Sequence, residues 1–310
     1  MASSASPDVN PSAAGAALAY ARCVLCGAER TKASETALVR CNIRAFEDER
    51  FEVWRCGQCR SIHAGAPVDL EHYYSRYPLF TAELNWMLEV VYSNLLARLR
   101  RAGLQPGQSV LDYGCGNGVL VKFLRKRGYP AEGYDRYNPA FSDPSVLERR
   151  YDCVVSQDVI EHVDDPHALL AEFDRLTVPG ALISVGTPDA DALSLTDSDD
   201  FRHALHAPYH RHILSTAALQ AAGERRGWRP VRYYDTMYNN TLFPTMNPRF
   251  ALHYVRSHDD VFDLVAEPIK LSWKLISPVT LLFALFGFFF DRHTDIQMLW
   301  RKPDAARLTS

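Results

Sequence analysis

Neither positive nor negative charge predominates in this sequence. Its 310 residues include 34 Lys and Arg against 37 Asp and Glu, which gives a formal net charge of −3. Proteins that bind nucleic acid need a basic face to neutralise phosphates, so this balance argues against DNA or RNA as a partner. The N-terminus lacks a basic segment followed by an apolar one, so it does not resemble a secretory signal. We therefore expect residues 1–18 to form a flexible tail and the protein to be cytoplasmic.

The sequence also lacks an apolar run long enough to cross a bilayer as a helix. Segment 275–290 has 16 residues without charge, between Lys274 and Asp291. As a helix it would measure roughly 24 Å, short of the hydrocarbon thickness of about 30 Å. We expect it to belong to an insertion at about 262–292, before a last strand at 295–301. It would form a buried or dimerising helix, or make peripheral contact with a membrane.

A glycine-rich turn follows the apolar strand that begins at Val110. Its third glycine stands at a different position from the third glycine of dinucleotide-binding sites. The sequence from Val110 reads VLDYGCGNG, with glycines at 114, 116 and 118. NAD and FAD sites prefer GxGxxG, but Val119 occupies the place of the third glycine here. Glycines at alternate positions allow a ligand to approach the backbone at a strand end. The turn therefore predicts a nucleotide-like ligand other than a dinucleotide.

This pattern, with Asp112 between the strand and the first glycine, closely resembles the first motif of class I S-adenosylmethionine-dependent methyltransferases. The resemblance implies an acidic residue at the end of the next strand, which binds both ribose hydroxyls. Asp135 stands at that place, 17 residues beyond Gly118. The resemblance implies that the following residues bind S-adenosylmethionine: Asp112, Gly114, Cys115, Gly116, Gly118, Asp135, Arg136, Gln157 and Asp158.

The order of apolar segments predicts an α/β fold with a doubly wound, Rossmann-like sheet. We expect strands at 109–113, 131–135, 151–156 and 181–185, with helices between them, and a last pair of strands at 231–235 and 295–301. The resemblance implies a sheet of the seven-stranded type. The usual third strand, expected between residues 137 and 149, is not evident. The domain would span residues 107–310, preceded by a linker and helix at 66–106.

Two CxxC pairs near the N-terminus predict a metal site. Cys23 and Cys26 form one pair, and Cys56 and Cys59 form the other. Four thiolates from two tight turns are typical of a tetrahedral zinc ion, which stabilises the fold and leaves no open position for chemistry. The cysteine pattern therefore predicts a zinc ribbon at residues 19–65. Together with the segment that follows Cys59, this region resembles the zinc ribbons of many bacterial methyltransferases.

The catalytic candidates lie after the strand that ends near Gln157. The sequence EHVDDP, which begins at Glu161, resembles the EHxxDP of many of these enzymes. Asp158, Glu161 and His162 would share one face of a helical turn, and His162 is suited to act as a general base or as a loop hydrogen-bonding group. The triplet also resembles an ExxEH metal motif of ubiquinone-biosynthetic O-methyltransferases. A histidine-rich segment at 201–212 adds His210, and also His212, as candidates for acceptor contacts.

The sequence predicts a zinc-ribbon methyltransferase that transfers a methyl group from S-adenosylmethionine to a small molecule. A sugar, a quinone and a lipid-linked precursor are the acceptor classes considered. An RNA methyltransferase is one alternative, since some carry zinc ribbons, although the charge balance disfavours it. A scaffold that binds the cofactor without catalysis is the other.

Overall fold

The computed structural model describes residues 20–78, 83–269 and 272–304, so the predicted tail at 1–18 lies outside the described residues. Two sheets organise the chain. The smaller, antiparallel sheet has the spatial order β1 (Thr36–Arg40), β2 (Arg50–Arg55), β3 (Ile62–Ala64) and β8 (His212–Ile213). The larger sheet has the order β5 (Ala131–Tyr134), β4 (Val110–Tyr113), β6 (Tyr151–Gln157), β7 (Thr177–Pro188), β10 (Asp295–Arg301) and β9 (Arg229–Tyr234).

The larger sheet is parallel from β5 to β7, and β10 runs antiparallel to both β7 and β9. This arrangement confirms the doubly wound fold and the predicted pairing of the last two strands. Six strands are present in the described part of the chain. A short 3-10 helix at Pro144–Glu148 occupies the segment where the third strand was not evident in the sequence.

Helices cover both faces of the larger sheet. The α-helices are α1 (Leu70–Tyr74), α2 (Trp86–Arg101), α3 (Val119–Lys126), α4 (Pro166–Arg175), α5 (Arg202–Leu205), α6 (Thr216–Glu224), α7 (Pro248–Ser257) and α8 (Pro278–Phe286). Leu95 of α2 and Phe123 of α3 belong to the core cluster on one face. Phe173 of α4 and Leu219 of α6 belong to the cluster on the other. Apolar burial of this extent is the main stabilising contribution to such a fold.

Hydrogen bonds from the backbone and from side chains join the ribbon region to the larger domain. Strand β8 lies far from the ribbon in sequence but pairs with β3, with Ile62 opposite Ile213. The buried Arg55 donates hydrogen bonds to the carbonyl oxygens of Ala190 at 2.8 Å and Leu193 at 2.7 Å. The described ribbon residues therefore pack firmly against the segment that follows β7.

The apolar run at 275–290 forms three short pieces rather than one helix, which corrects the single-helix expectation. A 3-10 turn at Trp273–Ile276 is followed by the nine-residue helix α8 and a second 3-10 turn at Gly287–Phe290. Ser277 caps α8 by accepting a hydrogen bond from the amide of Thr280, and the following proline suits the first helical position. The cap and proline start a new helix inside the run.

The insertion packs on α7 but leaves most of its apolar side chains exposed. Thr280 and Ala284 are buried on the inner face of α8. Nine large side chains of segment 273–290, each 43–75% exposed, form what we term the apolar surface: Trp273, Ile276, Val279, Leu281, Leu282, Leu285, Phe286, Phe289 and Phe290. Within the described ranges, no helix is long and apolar enough to span a membrane.

Candidate active site and metal centre

The glycine turn after β4 adopts a left-handed backbone at all three glycines. The φ angles of Gly114, Gly116 and Gly118 are 82°, 52° and 68°. A Cβ on Gly114 would lie 2.2 Å from Val159, and one on Gly118 would lie 2.1 Å from the ring of Phe141. A Cβ on Gly116 would meet no atom within 4 Å. Two of these glycines are therefore required by packing, whereas Gly116 faces open space where a ligand can approach.

Asp135 follows β5 directly and organises the loop beside this turn. Its Oδ2 accepts a hydrogen bond from the amide of Gly116 at 2.9 Å, and its Oδ1 accepts from the amides of Tyr137 and Asn138 at 2.9 and 3.1 Å. The amides of Gly114 and Cys115 both donate to the carbonyl oxygen of Tyr134. These bonds hold the ends of β4 and β5 together and fix Asp135 at the carboxyl edge of the sheet. The side chain of Arg136 is exposed.

Several carboxyl groups collect at this edge of the sheet with raised pKa values. Burial, reinforced by Asp135, raises the pKa of Asp112 to about 7. Burial also raises the pKa of Asp158 to about 6. Burial and the nearby Asp158 raise the pKa of Asp295 to about 7. Carboxylates that are crowded and desolvated are stabilised by positive charge, so the cleft suits a cationic ligand.

Asp295 was not among the residues predicted from the sequence. It begins β10, opposite Pro188 at the carboxyl end of β7, so it reaches the same edge as Asp158. Gln157, Asp158, Tyr238 and Asp295 line one pocket there. The predicted last strand at 295–301 included this residue, but its approach to Asp158 depends on the antiparallel pairing of β10 with β7, which the sequence did not predict.

Glu161, His162 and His210 come together on one side of this cleft. One ligand atom from each lies within 4.8 Å of the others. Glu161 is fully buried, and its Oε2 accepts a hydrogen bond from Thr187 at 2.9 Å. Its Oε1 has no hydrogen-bond partner in the described part of the chain and lies 3.9 Å from Nε2 of His210. Burial and the neighbouring Asp158 raise the pKa of Glu161 well above its ordinary value.

Backbone carbonyls determine which ring nitrogens of the two histidines carry hydrogen. Nδ1 of His162 lies 3.2 Å from the carbonyl oxygen of Tyr209, and Nδ1 of His210 lies 2.9 Å from that of Ala204. A carbonyl oxygen can only accept, so each Nδ1 donates and each Nε2 of the neutral ring keeps its lone pair. Burial lowers the pKa of His162 to about 4 and that of His210 well below its ordinary value. Both rings are therefore neutral at pH 7.

Asp158, Glu161 and His162 do not share a helical face. This corrects the expectation from the sequence that the three residues lie together on one helical turn. Asp158 has a φ of 55°, so the chain turns sharply there, and residues 160–162 form a turn. Asp and Asn tolerate this left-handed backbone better than most residues. His210, which lies far along the chain, joins Glu161 and His162 in one cluster of potential ligand atoms.

Aromatic side chains enclose this cluster. The hydroxyl of Tyr74 lies 3.1 Å from Nδ1 of His162, and its ring stacks on Tyr137 at 5.5 Å between ring centroids. The hydroxyl of Tyr77 lies 3.2 Å from Nε2 of the buried His206. Helix α1 and the residues after it therefore bring tyrosines from the linker onto the histidine segment. Tyr74 and Tyr77 therefore pack against each other and also contact the histidines of this region.

The four predicted zinc ligands also come together. The Sγ atoms of Cys23 and Cys59 lie 3.5 Å apart, and those of Cys26 and Cys56 lie 3.6 Å apart. All four sulfurs lie within 4.8 Å of one another, and all four cysteines are free thiols. Zinc–sulfur bonds of about 2.3 Å in a tetrahedron separate the sulfurs by roughly 3.8 Å. The donor set and its spacing therefore fit a structural zinc ion.

Comparisons with known proteins agree with this geometry. Residues 87–233 match the model of a family described as a methyltransferase domain. The ubiquinone biosynthesis O-methyltransferase of Hahella chejuensis is 34% identical over 103 residues, which are 26% of this chain and 43% of that protein. The corresponding protein of Leptothrix cholodnii is 24% identical over 156 residues, which are 42% and 62% of the two chains. The chain thus spans about half the length of the curated relatives it matches.

Solved structures are similar at low identity. A coclaurine N-methyltransferase bound to N-methylheliamine and SAH is 15% identical, with a TM-score of 0.43, over 72% of this chain and 74% of that one. The phosphoethanolamine N-methyltransferase 2 of Haemonchus contortus in complex with S-adenosyl-L-methionine is also 15% identical. Its TM-score is 0.44, over 78% of this chain and 62% of that one.

Proposed function

Because residues 87–233 form a methyltransferase domain of the S-adenosylmethionine-dependent class, we propose that this chain methylates a hydroxyl group of a small molecule. The observation that carries the proposal is the cluster of Glu161, His162 and His210, which brings two neutral imidazoles close to a buried carboxyl oxygen that has no hydrogen-bond partner among the described residues. A hydroxyl must lose its proton to accept a methyl group, and this cluster is built from proton acceptors.

The residues around the glycine turn fit S-adenosylmethionine. This cofactor carries a sulfonium and an ammonium group, which suit the carboxyl groups of Asp112 and Asp158 with their raised pKa values. The open space at Gly116 and the carboxylate of Asp135 would hold its ribose side. When bound, the cofactor supplies an activated methyl group. The methyl carbon forms a bond to the acceptor oxygen as its bond to sulfur breaks, and S-adenosylhomocysteine is released.

The acceptor's proton would pass to the cluster. At neutral pH, His162 is uncharged, and its Nε2 keeps a lone pair because Nδ1 donates to the carbonyl oxygen of Tyr209. Tyr74 contacts the same ring and would hold its orientation. A positioned base of this kind contributes typically ~10²–10⁴-fold to a rate. Alignment of donor and acceptor and exclusion of water would supply much of the remaining catalysis.

The rings that surround the cluster favour an uncharged cyclic acceptor. Tyr74, Tyr77 and Tyr137 offer aromatic faces, which stack on planar rings and on the apolar faces of sugars. The histidines there are neutral, so they offer no cation to a charged substrate. We propose a phenolic ring, such as a quinone precursor, as the first acceptor class. Sugars and lipid-linked precursors are the other classes to be tested.

Binding of a divalent cation is a second candidate role for the same cluster. A carboxylate and two imidazoles are common ligands, and metal-binding histidines usually donate their other ring N–H to an oxygen. Nδ1 of His162 and Nδ1 of His210 both do so. In this alternative, Glu161 and both Nε2 atoms would bind the metal, which would lower the pKa of the acceptor hydroxyl in place of a protein base.

The proposal is tested with the full chain in two steps. Calorimetry should show binding of S-adenosylmethionine that Asp135→Ala abolishes, and unchanged affinity would contradict the ribose assignment. Release of S-adenosylhomocysteine should then occur with a phenolic acceptor in a panel of phenols, sugars, lipid-linked precursors and RNA. Activity that disappears with a chelator and returns with Mg²⁺ or Mn²⁺, while the cysteine-bound zinc remains, would favour the metal alternative. Activity indifferent to a chelator would favour the protein base.

Two outcomes would replace this proposal. Methylation of tRNA or rRNA, with binding that weakens steeply as salt rises, would assign the chain to RNA methyltransferases. Tight cofactor binding with no turnover across the whole panel would indicate a scaffold that binds the cofactor without catalysis.

A further inference from the structure

The apolar surface defined above needs a partner that tolerates exposed aromatic side chains. Trp273 and Phe289 are 75% and 70% exposed, and both stand on short 3-10 turns rather than on a flat helix face. Soluble proteins rarely leave contiguous apolar areas of this kind exposed unless they contact another molecule. The segment lies beyond residues 87–233, so the methyltransferase match does not account for it.

A cluster of arginines borders the apolar surface. The guanidinium carbon of Arg249 lies 4.6 Å from the ring centroid of Phe283 in α8, and its Nε is buried with no hydrogen-bond partner among the described residues. Arg256 and Arg292 both pair with Asp200. Burial, together with the charges of Arg292 and Arg256, lowers the pKa of Arg249, as expected for neighbouring guanidinium groups. Within the described residues, Asp200 is the carboxylate that Arg256 and Arg292 share, and Arg249 adds a third positive charge beside them.

This combination determines which partner fits. A lipid surface accepts irregular apolar side chains of different heights, and tryptophan is favoured at the boundary between headgroups and acyl chains. Anionic headgroups would neutralise the arginines at the border. In a dimer about a twofold axis through the middle of this surface, the arginines at its border would face the opposite border of the partner's surface, whose nine defined members are apolar and offer no counter-charge. Charge complementarity therefore favours an anionic membrane over a second copy of this chain.

We infer that the apolar surface and the adjoining arginines dock the protein on an anionic lipid bilayer without crossing it. Helix α8 has only nine residues, so its apolar side chains would enter the interface while its inner face stays on α7. The same insertion contacts the histidine segment, since Phe262 lies 5.0 Å from His206 between ring centroids. Docking would therefore bring the candidate acceptor site close to the membrane.

Co-sedimentation of the full chain with lipid vesicles tests this inference without methyl transfer. We expect binding to phosphatidylglycerol–phosphatidylcholine vesicles, weaker binding to pure phosphatidylcholine, and loss of the difference at high salt. The double variant Trp273→Ala, Phe289→Ala should lower binding by about tenfold or more, since two large side chains no longer leave water. The matched control is Trp86→Ala, Leu38→Ala, which removes exposed side chains outside the surface and should bind like the wild type.

Three results would overturn the inference: no vesicle binding, equal binding to neutral and anionic vesicles, or equal loss in the control. Light scattering during gel filtration tests whether a second copy of this chain, rather than a membrane, covers the apolar surface. A dimer that the Trp273→Ala, Phe289→Ala variant dissociates, together with no vesicle binding, would assign the surface to self-association. A folded variant is verified by its thermal transition. Failure of vesicle binding leaves the proposed methyltransferase function unaffected, because cofactor binding is measured separately.

Discussion

His63 of β3 and His212 of β8 face each other across the ribbon sheet, with their Nδ1 atoms 3.0 Å apart. Nε2 of His212 lies 3.1 Å from the carbonyl oxygen of Asp164 and therefore donates to it. Since burial and the nearby His63 keep the pKa of His212 at about 3, its ring is neutral and its Nδ1 accepts from His63. His212 was a candidate for acceptor contacts, but here it links the ribbon to the segment that carries His210.

This link predicts that the metal stabilises the fold beyond the ribbon. Cys56→Ser should remove a thiolate from the four-cysteine cluster, lower the zinc content from about one ion per chain, and lower Tm because the β3–β8 pairing loses its support. Metal analysis and calorimetry measure both effects. Cys41→Ala, a buried cysteine outside the cluster, should keep the zinc. Zinc content well below one ion in the wild type would contradict the ribbon assignment.

The glycine turn gives a matched pair of substitutions with different outcomes. Gly118→Ala should destabilise the fold, since its methyl group would overlap the ring of Phe141. Gly116→Ala should fold with a cost of about 1–2 kcal/mol for the left-handed backbone. It should nevertheless bind S-adenosylmethionine weakly, because the methyl group enters the open space beside Asp135. Thermal unfolding and calorimetry of both variants separate the two effects. Normal cofactor affinity in Gly116→Ala would show that the ligand does not approach this backbone.

Local sequence patterns predicted the parts of the site that lie close together in the chain. Asp112, the glycine turn and Asp135 fall within one strand–helix–strand unit, and the resemblance to class I methyltransferases, together with this spacing, implied their places at one edge of the sheet. The two CxxC pairs likewise predicted the cysteine cluster. Asp295 was missed because its approach to Asp158 depends on the antiparallel packing of β10 on β7. Contacts between distant segments depend on tertiary packing, which residue patterns do not encode locally.

The same limit explains the errors around Glu161 and α8. A helical spacing rule grouped Asp158 with Glu161 and His162, but the left-handed backbone at Asp158 redirects the chain. The two-residue strand β8 is too short for a periodic signal, so its pairing with the ribbon was not predicted. In the apolar run, Ser277 and Pro278 form a helix-start signal. The absence of charge outweighed that signal and suggested one continuous helix.

The buried carboxyl group of Asp295 predicts a pH-dependent stability. Its native pKa of about 7 lies above the ordinary value of 3.8, so the native state holds a proton that the unfolded chain has lost between about pH 4 and pH 7. The contribution of this group to the free energy of unfolding therefore falls as pH rises through that range. Asp295→Asn should raise Tm relative to the wild type at pH 8 and change it little at pH 4.

Thermal scans without cofactor, at both pH values, measure this difference. Asp48→Asn, a substitution at an exposed position of the ribbon region, serves as the control and should shift Tm equally at the two pH values. A gain for Asp295→Asn that is the same at pH 4 and pH 8 would contradict the raised pKa. Saturating S-adenosylmethionine should reduce the gain at pH 8, because its positive charges would stabilise the ionised carboxylates of the cleft.

Glu161→Gln tests whether Oε1 of Glu161, which has no hydrogen-bond partner among the described residues, takes part in methyl transfer. The side chain keeps its size, but an amide cannot accept a proton or bind a cation as a carboxylate does. We expect kcat to fall about 10²–10⁴-fold, while the affinity for S-adenosylmethionine stays within about twofold. Glu148→Gln, at an exposed position outside the cluster, should retain the wild-type rate. Equal losses of cofactor affinity and kcat would show that Glu161 supports the fold of the cleft through its bond to Thr187 and does not contact the reacting groups.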